Sequence, residues 1–170
     1  MVNIRLRAVE MKDADNIFRW ENDQTYWDVS GTQRPFSHFC IEDYVMTSQN
    51  EDIYTAKQLR LIIEDGNKDL AVGCVDLYEF EPQNLRAGIG IFIDNEQRKQ
   101  GYGLKALELL ITYASNVLHI HNLYAFVSQD NEASQQLFVK SGFNRTAVLQ
   151  DWILRGQNFK NIIVYQHLTR

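Results

Sequence analysis

Three carboxylates and one glycine-rich loop are the features of this chain whose residue types and spacing could carry out a reaction. Asp76, Glu79 and Glu81 stand close together, shortly before Gly88 and Gly90. A carboxylate held near a nucleophile can take its proton. The loop reads Gln97-Arg98-Lys99-Gln100-Gly101-Tyr102-Gly103. It joins the apolar run Ile89–Asp94 to a helix-like run that begins at Leu104. Two glycines opening a helix straight after a strand let backbone N–H groups approach an anion, and the helix dipole adds partial positive charge.

Three kinds of anion are candidates for that loop. A nucleoside triphosphate needs GxxxxGK[ST], and Lys105 follows Gly103 without that spacing. A dinucleotide fits Gly101-x-Gly103-x-x-Ala106 letter for letter. However, that fingerprint needs a tight turn directly after the strand and an acid about 20 residues later. Here Asp94 to Gln100 intervene, and Leu109 to Gln129 contain no Asp or Glu. A pyrophosphate cradle built from Arg98, Lys99 and the glycine backbone meets no such obstacle.

In these residues the chain resembles the GNAT acetyltransferase superfamily. Arg98, Gly101 and Gly103 match its acyl-coenzyme A loop, [QR]-x-x-G-x-[GA]. Asn131, followed by Phe138-Val139-Lys140-Ser141-Gly142-Phe143, matches its downstream helix signature. The order and spacing of the two blocks fit over nearly the whole chain. Arg5-Leu6-Arg7, Trp20-Glu21-Asn22-Asp23 and the Gly156-Gln157 turn are similar to the branch of spermidine and ribosomal-protein N-terminal acetyltransferases.

The resemblance implies an acetyl-coenzyme A-dependent acyltransferase that transfers acetyl by direct attack of a primary amine, a polyamine, diamine or other small amine. Two other functions stay open: acetylation of a protein or peptide amino terminus, and a catalytically silent acyl-coenzyme A-binding module. The resemblance further implies that acetyl-coenzyme A is held by Ile91, Phe92 and Ile93 of a splayed strand, by Arg98, Lys99, Gln100, Gly101, Tyr102 and Gly103 of the loop, and by Asn131, Phe138 and Lys140 of the downstream helix. A backbone N–H near Ile91 to Ile93 would stabilise the oxyanion. Glu79 is the implied base, because polyamine enzymes carry an acid at the matching place. Many relatives have Tyr where Phe138 stands, and a phenyl ring has no proton to give. The general acid is therefore open among Tyr124, Ser134 and water. Polyamine enzymes also tend to have Glu in place of Gly88, which weighs against a polyamine.

Local patterns predict the elements that must position these groups. Ile4, Leu6 and Ala8 alternate with arginines as in a half-buried strand. Ala14 to Glu21 follow helical spacing, and Ser37 can cap a helix that presents Ile41, Tyr44 and Val45. Strand-like runs follow at Leu59–Ile63, Leu70–Phe80 and Leu85–Asp94, the first ending at the turn Asp65-Gly66-Asn67. The helix after the glycines buries Leu104, Leu107, Leu110, Ile111 and Ala114. Leu123, Ala125 and Val127 alternate in a strand, Asn131 to Lys140 is helical, and two strands flank Gly156. His119 and His121 would share a strand face, with no third ligand for a metal. The order predicts one α/β domain over residues 1–170, a GNAT-like mixed, mostly antiparallel sheet of about seven strands flanked by about four helices. Gly88 and Gly90 fit a bulge, a close backbone approach or packing against a helix.

Composition limits the partners. The chain has 170 residues, 45% hydrophobic and 23% charged, and a net charge of −5, which disfavours nucleic acid. Residues 1–90 carry nine Lys/Arg against sixteen Asp/Glu, a balance of −7, and residues 91–170 carry eight against six, or +2. An acidic half for a cationic substrate and a basic half for an anionic cofactor would suit that split. No apolar run approaches the ~20 residues of a membrane span, and the start has no signal-peptide pattern. Cys40 and Cys74 lack a pairing pattern and read as two buried free thiols in a reducing cytoplasm. A small amine is the expected partner, with neither nucleic acid nor membrane, and a homodimer is kept open.

Overall fold

The computed structural model describes residues 2–169. Strand β1 (Ile4–Ala8) leads through a turn to helix α1 (Ala14–Glu21), which buries Ile17 and Trp20. Two four-residue helices are too short for a periodic pattern to reveal. These are α2 (Trp27–Ser30), and α4 (Ile53–Ala56). Between them runs α3 (His38–Ser48), capped as expected, with Ser37 Oγ accepting from Cys40 N at 3.1 Å. Strands β2 (Leu59–Asp65), β3 (Leu70–Glu81) and β4 (Arg86–Ile93) form an antiparallel meander. Helix α5 (Tyr102–Asn116), strand β5 (Asn122–Ser128), helix α6 (Glu132–Lys140) and the hairpin β6 (Asn144–Arg155) and β7 (Asn158–Leu168) complete the chain.

The strands form one sheet in the order β1-β2-β3-β4-β5-β7-β6, in which β4–β5 is the parallel pair. A parallel neighbour needs a crossover, and α5 supplies it. Its apolar stripe of Ala106, Leu107, Leu110 and Ala114 lies on the face made by Val75, Leu77, Ala87, Ile89, Leu123 and Ala125. Each such fully buried Leu or Ile contributes roughly 1.5–3 kcal/mol. Leu104 and Ile111 are half-buried, so the stripe is narrower than its apolar content implies. On the other face, Ile17 and Trp20 of α1 and Ile41 and Val45 of α3 pack on Ile62 and Cys74.

Three local expectations are corrected. His119 lies in the link between α5 and β5 with φ of 53°, and His121 just before β5, so they share no strand face. Cys74 is buried, and burial pushes its thiol up to about 12, but Cys40 is exposed on α3. The bulge, one of three alternatives for Gly88 and Gly90, lies not in β4 but opposite it in β3. There the register slips between Tyr78 and Glu81, and Glu79 takes φ of 50°.

Candidate active site

The parallel pairing of β4 and β5 covers Arg86↔Asn122, Ala87↔Leu123 and Gly88↔Tyr124, then ends. Beyond Gly88 the two strands diverge. Asp94 N donates to Val72 O at 2.9 Å, which fixes the phase of the β3–β4 ladder. Antiparallel bonds alternate, so Phe92, Gly90 and Gly88 turn their backbone groups toward β3. Ile91 and Ile93 turn theirs toward the opening. Arg98 Nε covers the Ile93 carbonyl at 3.1 Å, and the Ile91 N–H has no strand to pair with. Of the three residues expected here, Phe92 is set apart. Its backbone faces β3, and its ring packs against Trp20 and Tyr26.

The glycine loop borders the same opening. Asp94 anchors its start by accepting from Trp20 Nε1 at 2.9 Å and Arg19 Nη2 at 2.6 Å. Burial pushes the Asp94 carboxyl up, but these donors outweigh it and the net shift is downward. Gly101 sits at φ of 89°, the left-handed region that side chains avoid, and a Cβ there would lie 3.4 Å from Val2. The N–H groups of Tyr102, Gly103 and Leu104 have no acceptor within the helix, because the ladder starts with Lys105 N to Gly101 O at 3.3 Å. A Cβ on Gly103 would meet Leu137 Cδ2 at 3.3 Å, so α5 and α6 approach closely beside the loop.

The other expected cofactor residues are placed variously. Arg98 stacks its guanidinium 4.8 Å from the centre of the Tyr26 ring. Lys99 and Gln100 are exposed on the loop. The Tyr102 side chain points away into the core, where its hydroxyl donates to Asp65 Oδ2 at 2.6 Å, so its backbone N–H is what faces the loop. Asn131 caps α6 by accepting from Ser134 N at 3.1 Å. Phe138 is buried against Phe143 and Tyr165. Lys140 is exposed one turn beyond Leu137, on the same side of α6.

On the α1–α3 face, the Tyr124 hydroxyl donates to Glu79 Oε2 at 2.7 Å. Burial, then this bond, pushes the Tyr124 phenol well above its ordinary value, so it stays protonated. The Tyr78 ring lies over Gly88, and a Cβ on Gly88 would come within 2.2 Å of it. That explains the glycine. Tyr78 is pushed up to about 12, chiefly by burial and secondarily by Glu79 and Asp76. The other two acids are engaged by cations. Asp76 accepts from Arg60 and Glu81 from Arg86. Glu79 alone of the three carries no ion pair among the described residues.

Next to Tyr78 lies a pocket of about 460 Å³ whose lining includes Glu21, Arg34, Phe36, Tyr44, Arg60 and Asp76. The Glu79–Tyr124 pair and the Arg60 cluster both join residues distant in sequence. The single readable signal was Arg60, a charge between Leu59 and Leu61 in a strand-like run.

Residues 3–144 match the model of the family described as the acetyltransferase (GNAT) domain. The chain belongs to the GNAT acetyltransferases. This GNAT domain is 26% identical over 156 residues to the uncharacterized N-acetyltransferase YoaA of Bacillus subtilis (strain 168), covering 89% of this chain and 85% of that protein. Its fold is similar to that of spermidine N-acetyltransferase from Vibrio cholerae in complex with CoA and spermine. The TM-score is 0.87, with 20% identity over 97% of this chain and 95% of that one. A dodecameric structure of the Vibrio cholerae enzyme in an intermediate state gives a TM-score of 0.80 at 21% identity, covering 97% and 93%. This GNAT domain is thus an N-acetyltransferase built on a seven-stranded mixed sheet. No helix among the described residues is long and apolar enough to cross a membrane.

Proposed function

We propose that this chain acetylates a primary amine by direct attack, with acetyl-coenzyme A as donor. The observation that carries this is the Ile91 N–H, left without a strand partner where β4 and β5 diverge, between the glycine loop and Glu79. Bound acetyl-coenzyme A supplies the acyl group as a thioester. The free N–H groups of Tyr102, Gly103 and Leu104 would hold its pyrophosphate, with Arg98 and Lys99 adding charge and Lys140 bordering the site from α6. The cradle fits because Gly101 adopts a conformation that only a residue without a side chain takes cheaply.

Glu79 accepts the proton that the ammonium must lose. The freed lone pair would form the C–N bond as the acyl C–S bond breaks; the electrons of that bond would leave on sulfur, and the second proton of the nitrogen would pass to that sulfur through water. The Ile91 N–H would donate to the carbonyl oxygen as negative charge develops on it. Tyr124 holds Glu79 in place across the sheet. With Phe138 buried and unable to donate, water reprotonates the thiolate.

A polyamine acceptor is supported by the likeness to the spermidine enzyme and by the acid excess of residues 1–90. A peptide amino terminus is the second reading, favoured by the pairing of Asp76 and Glu21 to Arg60, which removes free acids from the pocket. A second copy of the chain as partner is supported by Trp152, Leu154 and Phe159 of the β6–β7 hairpin, 59%, 61% and 59% exposed. Sedimentation velocity should then give a dimer or larger species that Trp152→Lys weakens. The central test is acetyl-coenzyme A consumption across polyamines, aminoglycosides, amino acids and short peptides. Tight coenzyme A binding with no turnover on any amine would make the chain a silent acyl-coenzyme A-binding module.

A further inference from the structure

The pocket beside Tyr78 carries information about the rest of the acceptor molecule, provided that the chain acetylates amines as proposed above. At about 460 Å³ it has room for more than an amino group. Four charged side chains line it: Glu21, Asp76, Arg60 and Arg34. Arg60 donates to Asp76 from Nε at 2.7 Å and Nη2 at 3.1 Å, and to Glu21 from Nη1 at 2.6 Å. Both carboxylates are thus tied to one guanidinium, two of the bonds in the bidentate geometry that makes such pairs strong. A second ammonium entering here would have to displace Arg60 from a pair that is itself largely shielded from water.

Arg34 is different. It is exposed at the solvent edge of the pocket and has no ion pair or hydrogen-bond partner among the described residues. The four formal charges cancel, so the pocket as a whole does not favour a polycation. Its unspent charge is one guanidinium, whose planar fork matches a carboxylate. Tyr78, which also lines the pocket, meets the Tyr124 ring edge-on at 6.1 Å, and Tyr124 holds Glu79. A molecule reaching from Arg34 to Tyr78 therefore ends near the base.

We propose that the acceptor is a primary amine that also bears a carboxylate, and that Arg34 pairs with that carboxylate while the amine lies toward Glu79. A free amino acid and a peptide with an acidic residue at its amino terminus share this chemistry.

The test measures kcat/KM on the full chain with acetyl-coenzyme A and four acceptors. These are free glutamate, a short peptide amide starting with glutamate, the same peptide starting with glutamine, and spermidine. The glutamate peptide should exceed its glutamine counterpart by about tenfold, mainly through KM. Arg34→Ala should bring that ratio near one, and Arg34→Glu should invert it. A higher value for free glutamate than for the peptide identifies an amino acid as the source, and the reverse identifies a peptide. The proposal is overturned if spermidine or the glutamine peptide is used as well as the acidic acceptors, or if Arg34→Glu leaves the ratio intact. Calorimetric binding of the same amines to the coenzyme A-loaded chain reads the ratio independently of turnover. A ratio that depends on Arg34 without any turnover would keep the carboxylate site and overturn the acetyltransfer reading.

Discussion

The Tyr124 hydroxyl and Glu79 Oε2 are 2.7 Å apart, a bond that reaches from β5 to β3 over the intervening strand β4. It crosses at Gly88, which is paired with Tyr78 on one side and Tyr124 on the other. The bulge that gives Glu79 its φ of 50° lies at the same level. A carboxylate fixed by two strands and a bulge loses little freedom when it accepts a proton, which suits a base.

Glu79→Gln should lower kcat by about 10²–10⁴-fold, with a small change in the KM for acetyl-coenzyme A. Tyr124→Phe should lower kcat less, by about tenfold, because it frees Glu79 without removing it. The phenol is held above its ordinary value, so it remains protonated below about pH 10 and gives no alkaline limb of its own. Both variants are read from kcat against pH. A Glu79→Gln enzyme with wild-type kcat would mean that water alone takes the proton.

Acetyl-coenzyme A at a hundredfold excess over its dissociation constant should stabilise the fold by roughly 2.7 kcal/mol. Gly101→Ala forces a side chain into φ of 89° and should remove part of that stabilisation as well as lower the melting temperature. Gly103→Val should remove most of it, since the new side chain meets Leu137 and Ile93 where the loop borders the opening. A thermal shift with NAD but none with coenzyme A would show that the loop serves another ligand.

Phe138→Tyr distinguishes a buried ring from a missing acid. The ring is 4% exposed and lies between Phe143 and Tyr165, so an added hydroxyl enters an apolar setting. We expect a loss of about 1–3 kcal/mol in stability and no gain in kcat. A rise in turnover would give this position the proton-donor role that the resemblance implies for a tyrosine there.

Acid should unfold the chain partly through Glu64. This carboxylate is 1% exposed and bonded to Arg7 and Arg5, which hold it below its ordinary value. A folded value below the unfolded one gives stability that is complete above about pH 4.5 and lost as pH falls through the folded value. Glu64→Gln should cost about 3 kcal/mol at neutral pH and flatten the acid limb of the melting curve against pH. An equally steep limb in the variant would assign acid unfolding to other carboxylates, such as Asp65 and Asp94.

Local chemistry was the legible part of this chain. Ser37, Asn131 and Gly156 act on their own neighbours, and the elements they cap or turn were expected where they occur. The alternation of Leu123, Ala125 and Val127 likewise reported a buried strand face. What escaped notice depends on partners far along the chain. Arg60 carries no sign of Glu21, nor Glu79 of Tyr124, since those contacts exist only after the sheet is assembled. The place of Tyr102 and Phe92 in the family pattern does not say which of their groups faces the opening. Helical phase turns the Tyr102 side chain toward Asp65, and strand alternation turns the Phe92 N–H toward β3.

The donor exposed where β4 leaves β5 belongs to the main chain, and every residue except proline possesses one. Replacing Ile91 by valine, leucine or threonine leaves the N–H where it was, so ordinary side-chain scanning is blind to it. A backbone ester at that one linkage deletes the donor while keeping the chain's shape. By the same token, this position is free to drift in sequence without loss of that N–H, so long as the two strands go on parting at Gly88.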